Sequence, residues 1–386
     1  VKVDSVPMLM KREDPAYIIG AKRSGNTKYT ADLVSTITFV SNTNIPTTAE
    51  ASWDVSYTSG DNEVIAWVVP NATDSRKYEL YIGADDTSIQ APVNSGWLLA
   101  QYTNCTAINN LTMLDTSNVM YMASMFSNCS NLTSLDVNSF DTSKVTVMNR
   151  MFYGCSALTN INVNKLNTQN VRNMGSMFSD CSVLTALDLN NFNTSNVTDM
   201  SCMFFDCKQL TSLDLSNFDT NKITNMDNMF YNCSQLTSLN VSNFDTNKIT
   251  NMSFLFYNCR ELTSLNLSNF DTSNVTKMQS MFSGCNALTS LDISNFDTTN
   301  VTNMSSMFDD CSKLISLDIS NFNTTNVTNM SHMFNNCSNL TSLDVSNFDT
   351  SKVTNMSFMF YWCSNLTSLD VSNFNTSNVT NMGGMF

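Results

Sequence analysis

The sequence predicts an α/β solenoid of 26-residue repeats, each a short strand, a turn and about two turns of helix. Three observations predict it. Ten cysteines, Cys129, Cys155, Cys181, Cys207, Cys233, Cys259, Cys285, Cys311, Cys337 and Cys363, each stand 26 residues after the last. A fixed period of this size marks structural units that contact only their neighbours. In each unit, leucines such as Leu213 and Leu215 alternate with polar residues, the period of a strand. Further on, Met226, Met229, Phe230 and Cys233 fall at offsets 0, 3, 4 and 7, one face of a helix. One unit alone cannot bury its apolar face. Stacked units share a core and are expected to set their strands in one parallel sheet, about 4.8 Å apart.

Numbering the unit from Leu210 as position one places each element. Leu210, Leu213 and Leu215 point inward and Asp214 outward. Phe218 closes the strand side. Asp219-Thr220-Asn221 has turn chemistry, because such side chains bond to nearby backbone. Ile223 re-enters the core, and Thr224 or Asn225 is the expected N-cap of the helix.

Leu-x-x-Leu-x-Leu followed by Asn-Phe is the pattern of a leucine-rich repeat. The whole unit reads Ser-Asn-Phe-Asp-Thr-Ser-Asn-Val-Thr over 268–276, with Met-Phe-x-x-Cys following at Met281 to Cys285. It resembles the Bacteroides surface protein A-like family, to which surface repeats of unknown function in mycoplasmas and gut bacteria are related. The resemblance covers about residues 105–386. It implies an α/β leucine-rich-repeat solenoid in an extracellular or cell-surface protein, used for adhesion or host contact. The implied partner is a host or neighbouring-cell protein or glycan. It implies no catalytic residues.

Composition narrows the function classes. Apolar residues make up 42% of the 386, enough for a continuous core. The net charge of −14, from 33 acidic and 19 basic residues, argues against nucleic acid or anionic lipid as a partner, since both select basic surfaces. No run of 18 apolar residues occurs, so no segment is expected to insert in a membrane. No signal peptide is visible, the first residue is Val1, and the last repeat is interrupted at Phe386; the chain reads as a piece of a longer one. A single histidine, His332, leaves no Ser/His/Asp set, and the ten glycines form no phosphate loop. An enzyme is not expected, a carbohydrate-active one being the weakest reading. The repeat cysteines share the Met/Phe face, which favours buried thiols over disulfides or zinc. Cys202, at variable position 19, is expected to be exposed.

Three regions are expected. Residues 1–32 read as an irregular arm, with one short strand at Tyr17-Ile18-Ile19. Residues 33–104 alternate with period two, as in Trp53/Val55/Tyr57 and Val64/Ala66/Val68, and read as a small antiparallel sheet capping the stack. Residues 105–386 hold one short repeat, with Cys105 and Cys129 only 24 apart, and then ten repeat starts from Leu132 to Leu366.

Binding surfaces follow from which positions vary. The outward strand positions three and five are Ser and Asp or Asn almost throughout, a face suited to a periodic ligand such as a glycan, or to none. Position ten repeats as Asp or Asn, as at Asp219, Asp245, Asp271 and Asp297. Calcium between such stacked carboxylates and simple Asx turns are the two readings. Variation concentrates at positions 19 and 22, expected to be exposed on the helix. There Tyr153, Tyr231, Phe254, Tyr257, Phe358 and Tyr361, with the adjoining Trp362, are the candidate partner contacts. Two readings stay open for these aromatics: a contact surface for a partner or a second copy of the chain, or side-on packing against adjacent repeats. A purely architectural spacer or lattice subunit, cellular or viral, remains the alternative function.

Overall fold

A computed structural model describes residues 6–386; the first five residues of the expected arm lie outside the described residues. The chain divides into two compact units, one ending at Asn193 and the other beginning at Thr194. The elements are almost entirely strands and turns. Among the described residues there is no α-helix, only 3-10 turns at Ala31–Leu33 and Leu111–Met113.

The first unit opens with a mixed sheet. Strands β1 (Val34–Val40), β2 (Ala51–Asp54), β3 (Val64–Pro70) and β4 (Tyr78–Ala84) are followed by a short β5 (Ile89–Gln90) and by β6 (Ala107–Asn109). The sheet order is β2-β3-β4-β1-β6. The β2–β3 and β3–β4 pairs are antiparallel, but β1 pairs parallel with both β4 and β6. The sheet is therefore not purely antiparallel, and its last strand comes from the short first repeat. Ile37, Phe39, Val55, Val64, Ala66, Val68, Leu80 and Ile82 are fully buried, as their alternation predicts. Tyr17 makes only an isolated bridge to Thr30 in place of the expected strand. Ile18 and Ile19 are nevertheless buried, so this irregular segment is packed.

Within each unit the repeats stack. The second unit shows the backbone plan best. Met252, Phe254, Phe256 and Asn258 donate their amides to Lys277, Gln279, Met281 and Ser283 of the next repeat, at 2.6–3.0 Å. The amides between them, those of Leu255, Tyr257 and Cys259, close turns onto the carbonyls three residues back, at 3.2–3.3 Å. A helix would send every amide to its own i−4 carbonyl; here alternate amides cross to a neighbour.

The expected helix is thus a run of β-turns. The reason lies in two backbone positions. Position 19 is left-handed in every full repeat, with φ of 53–59° from Arg150 to Phe358. Position 23 is left-handed as well and, apart from Trp362, is filled by Asn, Asp or Gly, as in Asn258 (φ 59°) and Gly284 (φ 74°). A positive φ at the third residue is the mark of a type II turn, and no helix contains it. Offsets 0, 3, 4 and 7 still share one face in this coil, so Met252, Leu255, Phe256 and Cys259 are buried. Asn251, at the expected cap position, does accept the Ser253 amide at 3.1 Å, but a turn follows.

This assignment has a test. Glycine adopts a positive φ freely, whereas an L-residue resists it. Ser306→Gly is expected to be more stable than Ser306→Ala by about 1 kcal/mol in denaturant melts. A helix would reverse the order by a similar amount.

One continuous parallel sheet is also not what forms. Strands β8 (Ser134–Asp136) and β9 (Asn160–Asn162) pair in the first unit, after the two-residue β7 (Leu114–Asp115). Strands β10 (Ser212–Asp214) and β11 (Ser238–Asn240) pair in the second, Leu213 beside Leu239. The corresponding residues 264–266, 290–292, 316–318 and 342–344 are not strand. The Asp or Asn at position five accepts the amide two residues on whether or not its repeat carries a paired strand, as Asp214 does with Ser216 and Asp318 with Ser320, both at 3.0 Å. The more persistent ladder runs along position 16, from Asn251 through Lys277, Asn303, Asn329 and Asn355 to Asn381.

Three further columns of side chains register the repeats. Phe204, Phe230, Phe256, Phe282, Phe308, Phe334 and Phe360 stack with centroids 5.6–5.8 Å apart. The Thr at position 11 is buried and uses its hydroxyl twice: Thr220 donates to the Asp245 carbonyl and accepts the Asp245 amide. The Asn at position eight reaches back one repeat, as Asn295 does to the carbonyls of Leu267 and Phe270.

Candidate functional site

The strand face is polar and uniform. A shallow trough there is lined by Ser316, Asp318, Ser342, Asp344, Ser368 and Asp370, with Leu317 and Leu343 at its floor. Its carboxylates are engaged. The Ser320 amide and hydroxyl hold Asp318 below the usual carboxylate range, and the Ser346 hydroxyl and amide do the same for Asp344.

Position ten behaves alike. Asp219, Asp245, Asp271 and Asp297 each accept the amide two residues on, at 2.9–3.1 Å. Asn323 and Asn375 make the same bond. This is Asx-turn geometry, which either residue type satisfies. Among the described residues no three acidic, His or Cys side chains converge as a cation site.

The repeat cysteines form a buried column. In most repeats the thiol donates to the carbonyl of the Phe at position 21 one repeat back, as Cys233 does to Phe204 at 3.1 Å, whereas Cys129 donates to the Leu99 carbonyl at 3.1 Å. All twelve cysteines are thiols. Burial pushes the thiols up, Cys259 to about 12 and the half-buried Cys363 to about 11. Since the thiolate is the reactive form, the fully buried thiols of the column are inert. Cys202 is half-buried, less open than its variable position suggests. In the folded protein, maleimide labelling is expected at Cys202 and Cys363 alone; a labelled Cys233, or a disulfide between successive repeats, would show the column misplaced.

The candidate aromatics divide into two groups. Tyr231 and Tyr257 are half-buried and stack on one another at 4.5 Å, with Phe205 at 4.5 Å on the other side of Tyr231. Phe254 sits edge-on to Tyr257 at 5.8 Å. Tyr153 is half-buried beneath the Arg150 guanidinium, 5.6 Å from its ring centre. These side chains pack sideways on neighbours, the second of the two readings.

The other group is open. Phe358 and Trp362 are exposed, Trp362 by 64%, and Tyr361 is half-buried. Tyr361 stacks on Trp362 and meets Phe358 edge-on, both at 5.4 Å, and His332 stacks on Phe358 at 4.8 Å. Together with Asp309, Asp310, Asn335 and Asn336 they line an open groove of about 450 Å³. These are positions 19, 22 and 23 of three successive repeats, so variable residues 26 and 52 apart in sequence meet at one place. Burial raises the Asp309 carboxyl above its ordinary value, and the Asn335 amide, 2.7 Å away, opposes that shift.

Asp309, Asp310 and His332 were not among the expected contacts. One signal could have found the groove: Trp362 stands at the left-handed position 23, where the other repeats carry Asn, Asp or Gly. A bulky residue at φ 59° is strained, and here it is exposed too. The φ is the one the repeats share at this position, and Trp362 lies at the open end of the stack, beside the repeat that stops at Phe386.

No curated protein matches the chain. Among solved structures it is similar to the TLR13–ssRNA13 complex at 17% identity, over 71% of this chain and 43% of that one, with a TM-score of 0.24. It is also similar to the functional domain of InlJ from Listeria monocytogenes, described as including a cysteine ladder, at 21% identity over 72% of this chain and 62% of that one, with a TM-score of 0.24. The chain spans less than two thirds of either. A family model matches four overlapping segments, residues 98–186, 159–240, 235–342 and 311–386. The chain, a repeat protein over three quarters of its length, belongs to the family described as Mycoplasma protein of unknown function, DUF285.

Proposed function

We propose that this chain is a non-enzymatic interaction protein of the cell surface or the extracellular space. Its leucine-rich-repeat-like coils are a scaffold, and the variable positions 19, 22 and 23 present the partner-binding surface. One observation carries the reading: the positions that vary between repeats, 19, 22 and 23, come together in the stack, as in the groove lined by Asp309, His332, Asn335, Phe358 and Tyr361, while the strand face stays uniform. Recognition of a partner needs a surface that differs from place to place, and aromatic residues are over-represented at such contacts. The partner class is a protein or glycan of a host or neighbouring cell, or a second copy of the chain. Among the described residues no helix is long and apolar enough to cross a membrane.

The test is a screen of the chain against glycans and host-matrix proteins, together with sedimentation to detect self-association. Phe358→Ser with Tyr361→Ser is expected to weaken the interaction at least about tenfold, or 1.4 kcal/mol. The cost in stability should stay within about 1 kcal/mol. Asp318→Ala with Asp344→Ala should leave binding unchanged. The opposite pattern would assign function to the strand face. A second reading, an architectural spacer, is favoured by the uniformity of that face; it predicts an empty screen and an unaltered oligomeric state.

A further inference from the structure

We propose that a second surface, the exposed apolar patch at Met120 and Tyr121 with the cations beside it, docks an acidic segment of a partner polypeptide. An apolar side chain of that segment would sit on the patch and a carboxylate on the cations. The inference is independent of the groove at Phe358.

The first observation is a departure from the repeat. Counted back from Cys129, Met120 and Tyr121 hold positions 15 and 16. Position 15 is threonine in every later repeat except at Arg172. The threonine hydroxyl adds a bond to the carbonyl one repeat back, as Thr146 does to Met120 and Thr224 to Thr198, both at 3.2 Å. Position 16 is most often asparagine, which accepts the amide two residues on, as Asn251 does from Ser253 at 3.1 Å. Methionine cannot make the first bond, and neither Tyr121 nor Val147 can make the second. The backbone does not change with them: the Met120 amide reaches the Val93 carbonyl at 2.9 Å, and Tyr121 bridges Asn94 and Val147. Stacking therefore gains nothing from these side chains, and Val93, Met120 and Tyr121 are all exposed. Met120 and Tyr121 have a coil on either side, that of Val93 and that of Thr146. Their exposure is not that of a stack end.

The second observation is the charge around them. Residues 93–97, 117–124, 143–150 and 169–176 form this side of four successive coils and contain no Asp or Glu. They contain three cations, Lys144, Arg150 and Arg172, all exposed. Lys144 reaches back over the Met120 coil to the Asn118 side-chain oxygen at 2.7 Å. Arg172 continues the position-15 column, its amide on the Thr146 carbonyl at 2.9 Å. Asp115 and Asp141, just before these stretches, each accept the amide two residues on, from Ser117 and Ser143. In a chain of net charge −14 this surface is a local exception. Apolar area rimmed by one sign of charge suits a partner that carries the other.

Charge also chooses between a polypeptide and an anionic membrane. A membrane surface meets the field of the whole acidic chain and is repelled by it. A short segment feels the charges within a Debye length, about 8 Å at physiological salt. At a spacing of about 4.8 Å per coil, Met120 and Arg172 stand roughly 10 Å apart. In an extended segment, residues two apart share a face about 7 Å from each other, and a glutamate side chain spans the rest. The partner's mark is thus an apolar residue with an acid two positions on.

The experiment titrates the full chain with a peptide repeating Leu-Ser-Glu-Ser three times, following methionine methyl resonances and calorimetric heat. Two control peptides replace every leucine by serine or every glutamate by lysine. The first peptide is expected to shift the Met120 methyl and to bind more weakly as salt rises. Both controls should bind at least tenfold more weakly. Met120→Thr with Tyr121→Asn installs the residues of the other repeats, so its melting should not fall, yet it should lose at least tenfold in binding. Lys144→Asn with Arg172→Thr should lose a comparable factor. Ile315→Thr makes the same kind of change at a distant exposed residue and should bind as the parent does. Equal binding of the three peptides, or unchanged binding in both double variants, would overturn the proposal. Sedimentation of the chain alone and pelleting with phosphatidylserine vesicles test the other occupants. Self-association or vesicle binding that Met120→Thr with Tyr121→Asn abolishes would assign the patch to a second copy or to a membrane, and would overturn it as well.

Discussion

Replacing Phe230 by alanine is expected to lower the unfolding free energy by about 3–5 kcal/mol, the usual cost of emptying a buried aromatic site. The ring is fully buried. It stacks between Phe204 at 5.8 Å and Phe256 at 5.6 Å, with interplanar angles of 10° and 1°. Removing it therefore forfeits contact with two repeats at once. The surrounding coil is pinned by cross-repeat bonds, including Phe230 N to the Leu255 carbonyl at 3.1 Å, so collapse into the cavity is limited. Phe230→Leu keeps most of the volume and should cost less. Asp214→Ala, on the opposite face, removes an exposed carboxylate that accepts the Ser216 amide and, at 3.4 Å, the Asn240 side-chain amide, and should cost least. Urea denaturation followed by circular dichroism ranks the three. A Phe230→Ala chain as stable as Asp214→Ala would show the aromatic column to be peripheral.

The second large effect is expected at Arg12, in the segment that reads from sequence as an irregular arm. Its guanidinium is 4% exposed and donates to five carbonyls. Those of Trp97, Leu98 and Ala100 belong to the segment whose amides at Trp97, Leu99 and Gln101 reach the carbonyls of Ala123, Met125 and Ser127 in the next coil, and those of Pro15 and Tyr17 to the arm itself. The Tyr102 ring lies 4.5 Å from the cation. Burial lowers the Arg12 pKa, yet an arginine remains charged in a protein. The carbonyl oxygens thus take the place of a carboxylate, and the charge ties the start of the chain to the stack. Arg12→Leu would strand those acceptors in an apolar environment. A loss of about 3–5 kcal/mol is expected, the range for breaking a buried charge's partners. Arg12→Lys should rescue only in part, because an ammonium cannot span five acceptors with three protons. The readout is thermal unfolding followed by the fluorescence of Trp53 and Trp97. Unchanged melting in Arg12→Leu would mean the arm contributes nothing to the cap.

The sequence by itself determined the repeat, its period and the identity of its core. Met252, Phe256 and Cys259 recur at offsets that put them on one face, and the same offsets share a face in a helix and in a coil of type II turns. Periodicity therefore reported burial correctly and could not report the backbone path. It reports which side chains leave water, whereas the path depends on which carbonyl each amide finds. Position 23 held the missing clue, since Asn, Asp and Gly there tolerate the positive φ that ends a helix. The same holds for the strand face: alternating leucines report which side chains are buried, and only some repeats carry a paired strand. The aromatics looked alike in sequence, but tertiary structure separated them. Tyr231 and Tyr257 have a neighbouring ring to stack on in register, so they close over one another. Phe358, Tyr361 and Trp362 border residues of two earlier repeats, Asp309 and His332 among them, and on the other side only the part repeat that ends at Phe386. Only stacking at a fixed register brings side chains 52 residues apart to one groove, and no local pattern in the chain encodes that meeting.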